Sequence, residues 1–462
     1  MQRDTILPQI KKLNGPKTQQ WTRFHLKYAA PATYHKGLVW DRSKPAIGPF
    51  FTDVEGNIFL DFVSNVGSSP LGYNHPELVS VMKQLSYDPD RYAGTDVIAS
   101  FGEDPKKPIV PTPSHLHEKM MQLTKKFGYT KSFFSNSGAE AVENAIKACY
   151  DYKKNRGYGI CFEGAFHGRT LGALSLNRSK TVQREYYPTI PNIVSYHYCC
   201  CCKSPCTCGK PALYCQCKKV CKCQWTIQDR NKRVSQLRAS VDKKIGIMTG
   251  KEVDYIIIEP IQGEGGYNVP NKDFMKEVQE VSDEHNIPLI CDEIQSGMGR
   301  TGKWWACEHF GMKPEYITAA KALRIGATLG KNFPGESGRI SSTWGEGNAI
   351  ASAVGYKTIE IIERDNLLRN AEQKGKYFLE RLTELEEKNK NIVDVRGIGL
   401  MDALEMDTVK KRDALLNECL KQGLFLIGCG TKTIRLLPPL DVRQREIDMA
   451  IDIIEKGIKK VK

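Results

Sequence analysis

The chain has 462 residues, 40% of them apolar, and its 67 Lys and Arg against 53 Asp and Glu leave a formal net charge of +14. A chain of this size and composition can bury a core large enough for about two to three domains of about 150 residues, which excludes a disordered protein, and its basic residues are mostly interleaved with acidic ones, which reads as solvated surface rather than a nucleic-acid interface. Apolar runs such as Ile256-Ile257-Ile258 and residues 287–291 fall far short of the roughly 18 residues that span a bilayer, and the N-terminus has no apolar signal core, so a cytoplasmic protein without a membrane partner is expected.

Residues 1–48 are polar and read as an arm that wraps onto something larger, with Trp21, Phe24 and Tyr28 as anchors. Residues 49–62 hold two strand-like runs joined at Glu55-Gly56-Asn57, a hairpin signal. Strands and helices then alternate. Residues 131–135 predict a strand, 139–154 a helix with Val142, Ile146, Cys149 and Tyr150 at helical spacing, and 158–162 a second strand. Two further strands, 254–259 and 288–292, flank a helix over 273–285. This alternation predicts an α/β fold, a doubly wound, mostly parallel sheet with helices on both faces. Helices over 350–363 and 368–387, strands within 394–405 and 424–437, and a helix over 443–459 predict a smaller α/β unit at the C-terminus.

Four segments carry chemistry. Phe133-Phe134-Ser135-Asn136-Ser137-Gly138-Ala139 runs from strand through a small-residue loop into a helix, whose free N–H groups suit an anion; the same pattern is also an ordinary helix cap. Phe166-His167-Gly168-Arg169 follows a strand, at the end of a parallel sheet where ligands bind. Glu259-Pro260-Ile261-Gln262-Gly263-Glu264-Gly265-Gly266 and Cys291-Asp292-Glu293-Ile294-Gln295 place carboxylates at two adjacent strand ends, where a buried acid needs a cation or dense hydrogen bonding. Lys321 stands alone in the apolar run Tyr316-Ile317-Thr318-Ala319-Ala320-Lys321-Ala322-Leu323, surroundings that lower an amine's pKa and favour attack on carbonyls.

In their order and spacing these motifs resemble the class III, or ω-amino acid, aminotransferases, fold-type-I enzymes that use pyridoxal 5′-phosphate (PLP), in a form like the 4-aminobutyrate and lysine 6-aminotransferases. The resemblance runs from Thr52-Asp53-Val54-Glu55-Gly56 to Thr433-Ile434-Arg435-Leu436-Leu437-Pro438. It implies an arm and hairpin segment over residues 1–70, a large PLP-binding domain over 71–344 and a small domain over 345–462. Lys321 matches the lysine that forms a Schiff base with PLP and shuttles the proton, and Asp292 the acid that keeps the pyridine nitrogen protonated. Phe166 matches the stacking aromatic, with His167 beside it, and Gln295 the amide near the phenolic oxygen. Ser137, Gly138 and Ala139 match the phosphate loop, and Thr343 a threonine that reaches the phosphate of a neighbouring subunit. A homodimer or dimer of dimers is therefore implied.

For substrates, Arg169 resembles the arginine for a distal carboxylate, and Arg435 the one that grips the α-carboxylate of 2-oxoglutarate or glutamate. Glu264 resembles the glutamate that neutralises Arg435 while an ω-amine donor is bound. Val66 stands where ornithine-using relatives carry tyrosine, which favours a short donor such as 4-aminobutyrate, whereas Ile340-Ser341-Ser342-Thr343-Trp344-Gly345 resembles the lysine 6-aminotransferase branch. Ala322-Leu323-Arg324-Ile325-Gly326-Ala327 departs from the Gly-rich turn common in the family. Amino-acid racemases share the cofactor residues, so racemisation stays open beside transamination.

Ten of the 16 cysteines lie between Cys199 and Cys223. Cys199, Cys202, Cys206, Cys208, Cys215, Cys217, Cys221 and Cys223 are candidate ligands for one or two structural Zn²⁺ ions, each taking about four thiolates. Their C-x-C spacing leaves the ligand set open, with disulfides as the alternative. A metal-stabilised binding module built on this Cys/Lys-rich insertion is a second class of function. The six scattered cysteines read as reduced core residues.

Overall fold

The computed structural model describes residues 2–30, 32, 37–85, 98–198, 237, 252–340 and 348–461. The arm contains a helix the sequence pattern did not predict, α1 (Pro16–Tyr28), opened by a proline whose missing N–H costs nothing in the first turn. The beginning of the arm is tied to the C-terminal part of the chain, where Arg3 Nε and Nη2 donate to the two oxygens of Glu446 at 2.7 and 2.9 Å. The predicted hairpin forms from β1 (Phe50–Thr52) and β2 (Ile58–Asp61), paired antiparallel. Asp53 closes its turn by accepting from the N–H groups of Glu55 and Asn57 at 2.9 and 2.8 Å. Helices α2 (Pro76–Leu85) and α3 (Pro113–Thr124) follow.

The centre is a seven-stranded sheet. Its members are β3 (Lys131–Ser135), β4 (Tyr158–Phe162), β5 (Ile193–Tyr196), β6 (Val253–Ile258), β7 (Leu289–Asp292), β8 (Tyr316–Ala319) and β9 (Gly326–Gly330), in the spatial order β3-β9-β8-β7-β6-β4-β5. Neighbours from β5 to β8 pair in parallel, and β9 runs antiparallel to both β8 and β3. Helices α4 (Gly138–Lys153), α5 (Leu171–Ser175) and α6 (Lys272–Glu284) lie in the connections. Every residue of β6 is buried, as expected for a strand covered on both faces. Strand β9 was not evident in the sequence. It packs so closely that a Cβ at Gly330 would lie 2.5 Å from the Tyr316 ring, and one at Gly326 2.3 Å from the Ser137 carbonyl.

Helices α7 (Ala349–Arg364) and α8 (Leu367–Lys388) lead to β10 (Ile392–Ile398), β11 (Met401–Met406), α9 (Val409–Lys421), β12 (Leu424–Phe425), β13 (Ile427–Cys429), β14 (Thr433–Leu436) and α10 (Gln444–Ile458). The strands expected within 394–405 are β10 and β11, between which Gly399 turns the chain at φ 60°. The sheet β10-β11-β14-β13 is antiparallel, and β12 instead joins β2 in parallel. The hairpin shares a core with these C-terminal elements, with Phe62 and Phe378 rings 5.6 Å apart. Phe378 is fully buried, so Phe378→Ala should cost about 3–5 kcal/mol, seen as a lower urea midpoint. An unchanged midpoint would refute this shared core.

Candidate active site

The carboxyl ends of the parallel strands converge on one cavity of about 890 Å³. Strand β7 ends in Asp292, only 4% exposed. Its Oδ2 lies 2.7 Å from His167 Nδ1, and its Oδ1 accepts from the Ile294 N–H at 3.1 Å and the Thr318 hydroxyl at 3.3 Å. The strand register sets the last contact, since Asp292 and Thr318 are partners across β7 and β8. His167 is positioned in turn by its own N–H, which donates to Asn177 Oδ1 at 2.7 Å.

Beyond β8 a single 3₁₀ turn, Lys321–Leu323, presents the lysine, and Arg324 closes it in the left-handed region at φ 65°. Burial lowers the Lys321 ammonium, and Arg435 adds to this; Asp292, Glu259 and Glu264 oppose it, leaving a pKa of about 8. A neutral, nucleophilic amine is thus available near physiological pH.

In the lining of the same cavity, α4 starts at Gly138, with Ser137 as its cap accepting from the Glu140 N–H. A Cβ on Gly138 would lie 2.8 Å from Ile294 Cδ1, so the glycine lets the Ile294 side chain pack against the first turn. The N–H groups of a 16-residue helix therefore point to a space lined by Ser137, Gly138 and Ala139. The Phe166 loop is held over this space by Glu259, whose two oxygens accept from the N–H groups of Phe166 and Gly263, each at 2.8 Å. Burial raises the Glu259 carboxyl to about 7, with His167 opposing and Asp292 adding to the rise.

The third wall carries cations. Arg435, on β14, pairs through Nη2 with Glu264 Oε2, and Lys180 pairs with Glu264 Oε1. Burial would raise the Glu264 carboxyl, but Arg435 and Lys180 outweigh it and hold it below the ordinary value. Arg169 and Val66 line the same cavity, Arg169 exposed and Val66 at φ 56°, a strained conformation for a β-branched residue.

All predicted cofactor and substrate residues within the described chain thus meet in one cavity: Lys321, Asp292, Gln295, Phe166, His167, the Ser137-Gly138-Ala139 loop, Val66, Arg169, Glu264 and Arg435. Thr343 and the eight cysteines from Cys199 to Cys223 lie outside the described residues. Among the described residues no group of three or more His, Cys, Asp or Glu could hold a metal, and the six described cysteines are buried and free. Sequence reasoning missed Lys180 and Arg324 and assigned no role to Glu259, although an acid ending a buried strand was the same signal that singled out Asp292.

The residues present fit PLP. They offer an amine for its aldehyde, a buried carboxylate, an aromatic wall and a helix N-terminus for its phosphate. Gln295 Oε1, His167 Nε2 and Arg435 Nε are buried without a hydrogen-bond partner among the described residues. Because burial disfavours the charged amine, labelling of Lys321 by trinitrobenzenesulfonate in cofactor-free protein should rise with pH through a midpoint near 8. A midpoint at the ordinary lysine value, about 10.4, would contradict the burial argument.

The family described as Aminotransferase class-III matches residues 35–458. An acetylornithine aminotransferase from Methanocaldococcus jannaschii is 32% identical over 433 residues, 89% of this chain and 91% of that protein. An alanine/serine racemase from Pyrococcus horikoshii is 31% identical over 438 residues, 90% of this chain and 85% of that one. A lysine aminotransferase from M. tuberculosis superposes with a TM-score of 0.79 at 25% identity, covering 96% of this chain and all of that one. The motifs, the sheet with its strand-end cavity and these likenesses agree: the chain belongs to the class III aminotransferase family.

Proposed function

We propose that the chain moves the amino group of an ω-amino acid, with a 4-aminobutyrate-like or lysine-like donor, to 2-oxoglutarate, giving glutamate and a semialdehyde. The observation that carries this reading is the Arg435–Glu264 pair on the cavity wall. A donor whose reacting carbon bears no carboxylate is served while Glu264 neutralises Arg435. 2-Oxoglutarate is served when Arg435 is freed to grip its α-carboxylate by two parallel hydrogen bonds. Arg169 then takes the distal carboxylate.

PLP, the cofactor expected for the family, supplies an aldehyde that condenses with amines and a ring that accepts electrons from the substrate carbon. Lys321 would bind that aldehyde and, once displaced by substrate, carry the proton between the substrate carbon and the cofactor. Its pKa of about 8 suits both giving and taking a proton near neutrality. Asp292, oriented by His167 and Thr318, would hold a proton on the ring nitrogen. Phe166 would cover one ring face, and the α4 N–H groups would hold the phosphate and exclude water from it. The resemblance of Thr343 to a threonine acting across subunits supports a homodimer or a dimer of dimers.

The second reading is amino-acid racemisation, favoured by the likeness to the P. horikoshii racemase. One assay separates the two: 4-aminobutyrate, lysine, ornithine and N-acetylornithine offered with 2-oxoglutarate, beside a chirality assay on single amino acids. Glutamate formed from an ω-amine donor is the expected result; racemisation without glutamate would overturn the proposal. Arg435→Ala should lower kcat/KM for 2-oxoglutarate by about 100-fold, or about 2.7 kcal/mol, and affect the donor half-reaction less. Equal losses in both halves would contradict the two-substrate pairing.

A further inference from the structure

We propose that Lys180 is the second berth of the Glu264 carboxylate, the cation that keeps this acid paired when Arg435 is released to a substrate carboxylate. The inference rests on the functional reading above and adds a residue to it that the family resemblance did not supply.

Glu264 does not face one cation but two. Its oxygens are divided between them, Oε1 bonded to Lys180 Nζ and Oε2 to Arg435 Nη2. The side chains of Arg435 and Glu264 are 4% and 19% exposed, while that of Lys180 is 35% exposed. A pair of Arg435 and Glu264 alone would leave, on opening, a largely buried carboxylate with no counter-charge, which is costly. Lys180 removes that cost, because Glu264 keeps one ion pair when it gives up the other.

The two cations are also mounted on different parts of the molecule. Arg435 lies on β14 of the antiparallel sheet. The segment carrying Lys180 is fastened instead to the β4 crossover loop, where the N–H groups of Arg178 and Ser179 donate to the Ala165 carbonyl at 2.8 and 3.1 Å. A shift in the Arg435 contact therefore need not disturb the Lys180 contact. Arg435 is equipped to exchange partners: its Nη2 also donates to the Gly428 carbonyl at 3.1 Å, and its Nε is buried with no partner among the described residues.

Charge settles which substrate benefits. Two cations and one acid leave the trio one positive charge in excess, which a carboxylate arriving at Arg435 neutralises. Without Lys180 the closed pair is neutral, so the same arrival leaves Glu264 as an unpaired anion. Lys180 thus favours the acceptor over the ω-amine donor, acting through Glu264 as a positioning residue.

The test uses the holoenzyme, with each half-reaction followed separately in single turnovers and with binding of glutarate, an unreactive dicarboxylate, measured by calorimetry. Lys180→Met should raise KM for 2-oxoglutarate and Kd for glutarate by about 10- to 100-fold, a range set between exposed and buried ion pairs. The donor half-reaction should be affected several-fold less. Lys180→Arg should retain acceptor binding. Adding Glu264→Gln to Lys180→Met should recover glutarate affinity, because no anion is then stranded. Equal losses in both halves, an unchanged Kd, or no recovery in the double variant would each overturn the berth; the last would mean that Lys180 touches the dicarboxylate directly. Wild-type protein that passes no amino group to 2-oxoglutarate would overturn the functional reading, and this inference with it.

Discussion

A carboxylate buried at the end of a central strand has to be paired, and the pairing of Asp292 organises the region around it. Left without partners, a charge in such surroundings is costly. His167, Thr318 and the Ile294 N–H meet that demand together. His167 belongs to the loop after β4, so satisfying Asp292 also draws that loop, and Phe166 with it, across the end of β7. Glu259 repeats the device one strand away, holding the N–H groups of Phe166 and Gly263 on one carboxylate. Two buried acids therefore position the loop that covers the cavity and the loop that carries Glu264.

The cavity is electrically divided. On the side of the large sheet, Asp292 and Glu259 stand near Lys321, and their attraction for its proton is outweighed by burial and by Arg435. On the side of the antiparallel sheet, Arg435 is buried beside Glu264 and its guanidinium is stabilised in the charged form. Burial opposes that charge, and the paired Glu264 carboxylate offsets it. One end thus suits a positively charged ring nitrogen and a reactive amine, and the other a carboxylate. That division is what a transaminase needs in order to orient a molecule bearing both an amino or keto carbon and an acid.

Much of this was legible in the sequence because the signals are periodic or chemically costly. The β-α-β alternation located β3, β4, β6 and β7 within a residue or two. An acid ending an apolar strand and a lysine inside an apolar run are expensive unless used, which pointed to Asp292 and Lys321. Strand β9 was hidden because glycines at both ends depress strand propensity, and their reason, close packing on Tyr316 and Ser137, exists only in the fold. Helix α1 was read only as an arm: Trp21, Phe24 and Tyr28 recur at helical spacing and their rings meet along one face, but that face is exposed rather than packed on a core. Lys180 was invisible for a related reason. It sits in a short irregular segment, and its partner Glu264 is 84 positions away.

The account turns on Lys321 being the amine that meets the cofactor aldehyde in the cavity that Asp292 shares. The most direct measurement is borohydride reduction of the PLP-loaded protein followed by peptide mass mapping. The account predicts a phosphopyridoxyl group on Lys321 and, in the Lys321→Ala variant, none within the cavity. Reduction that leaves Lys321 unmodified while labelling surface lysines would contradict it.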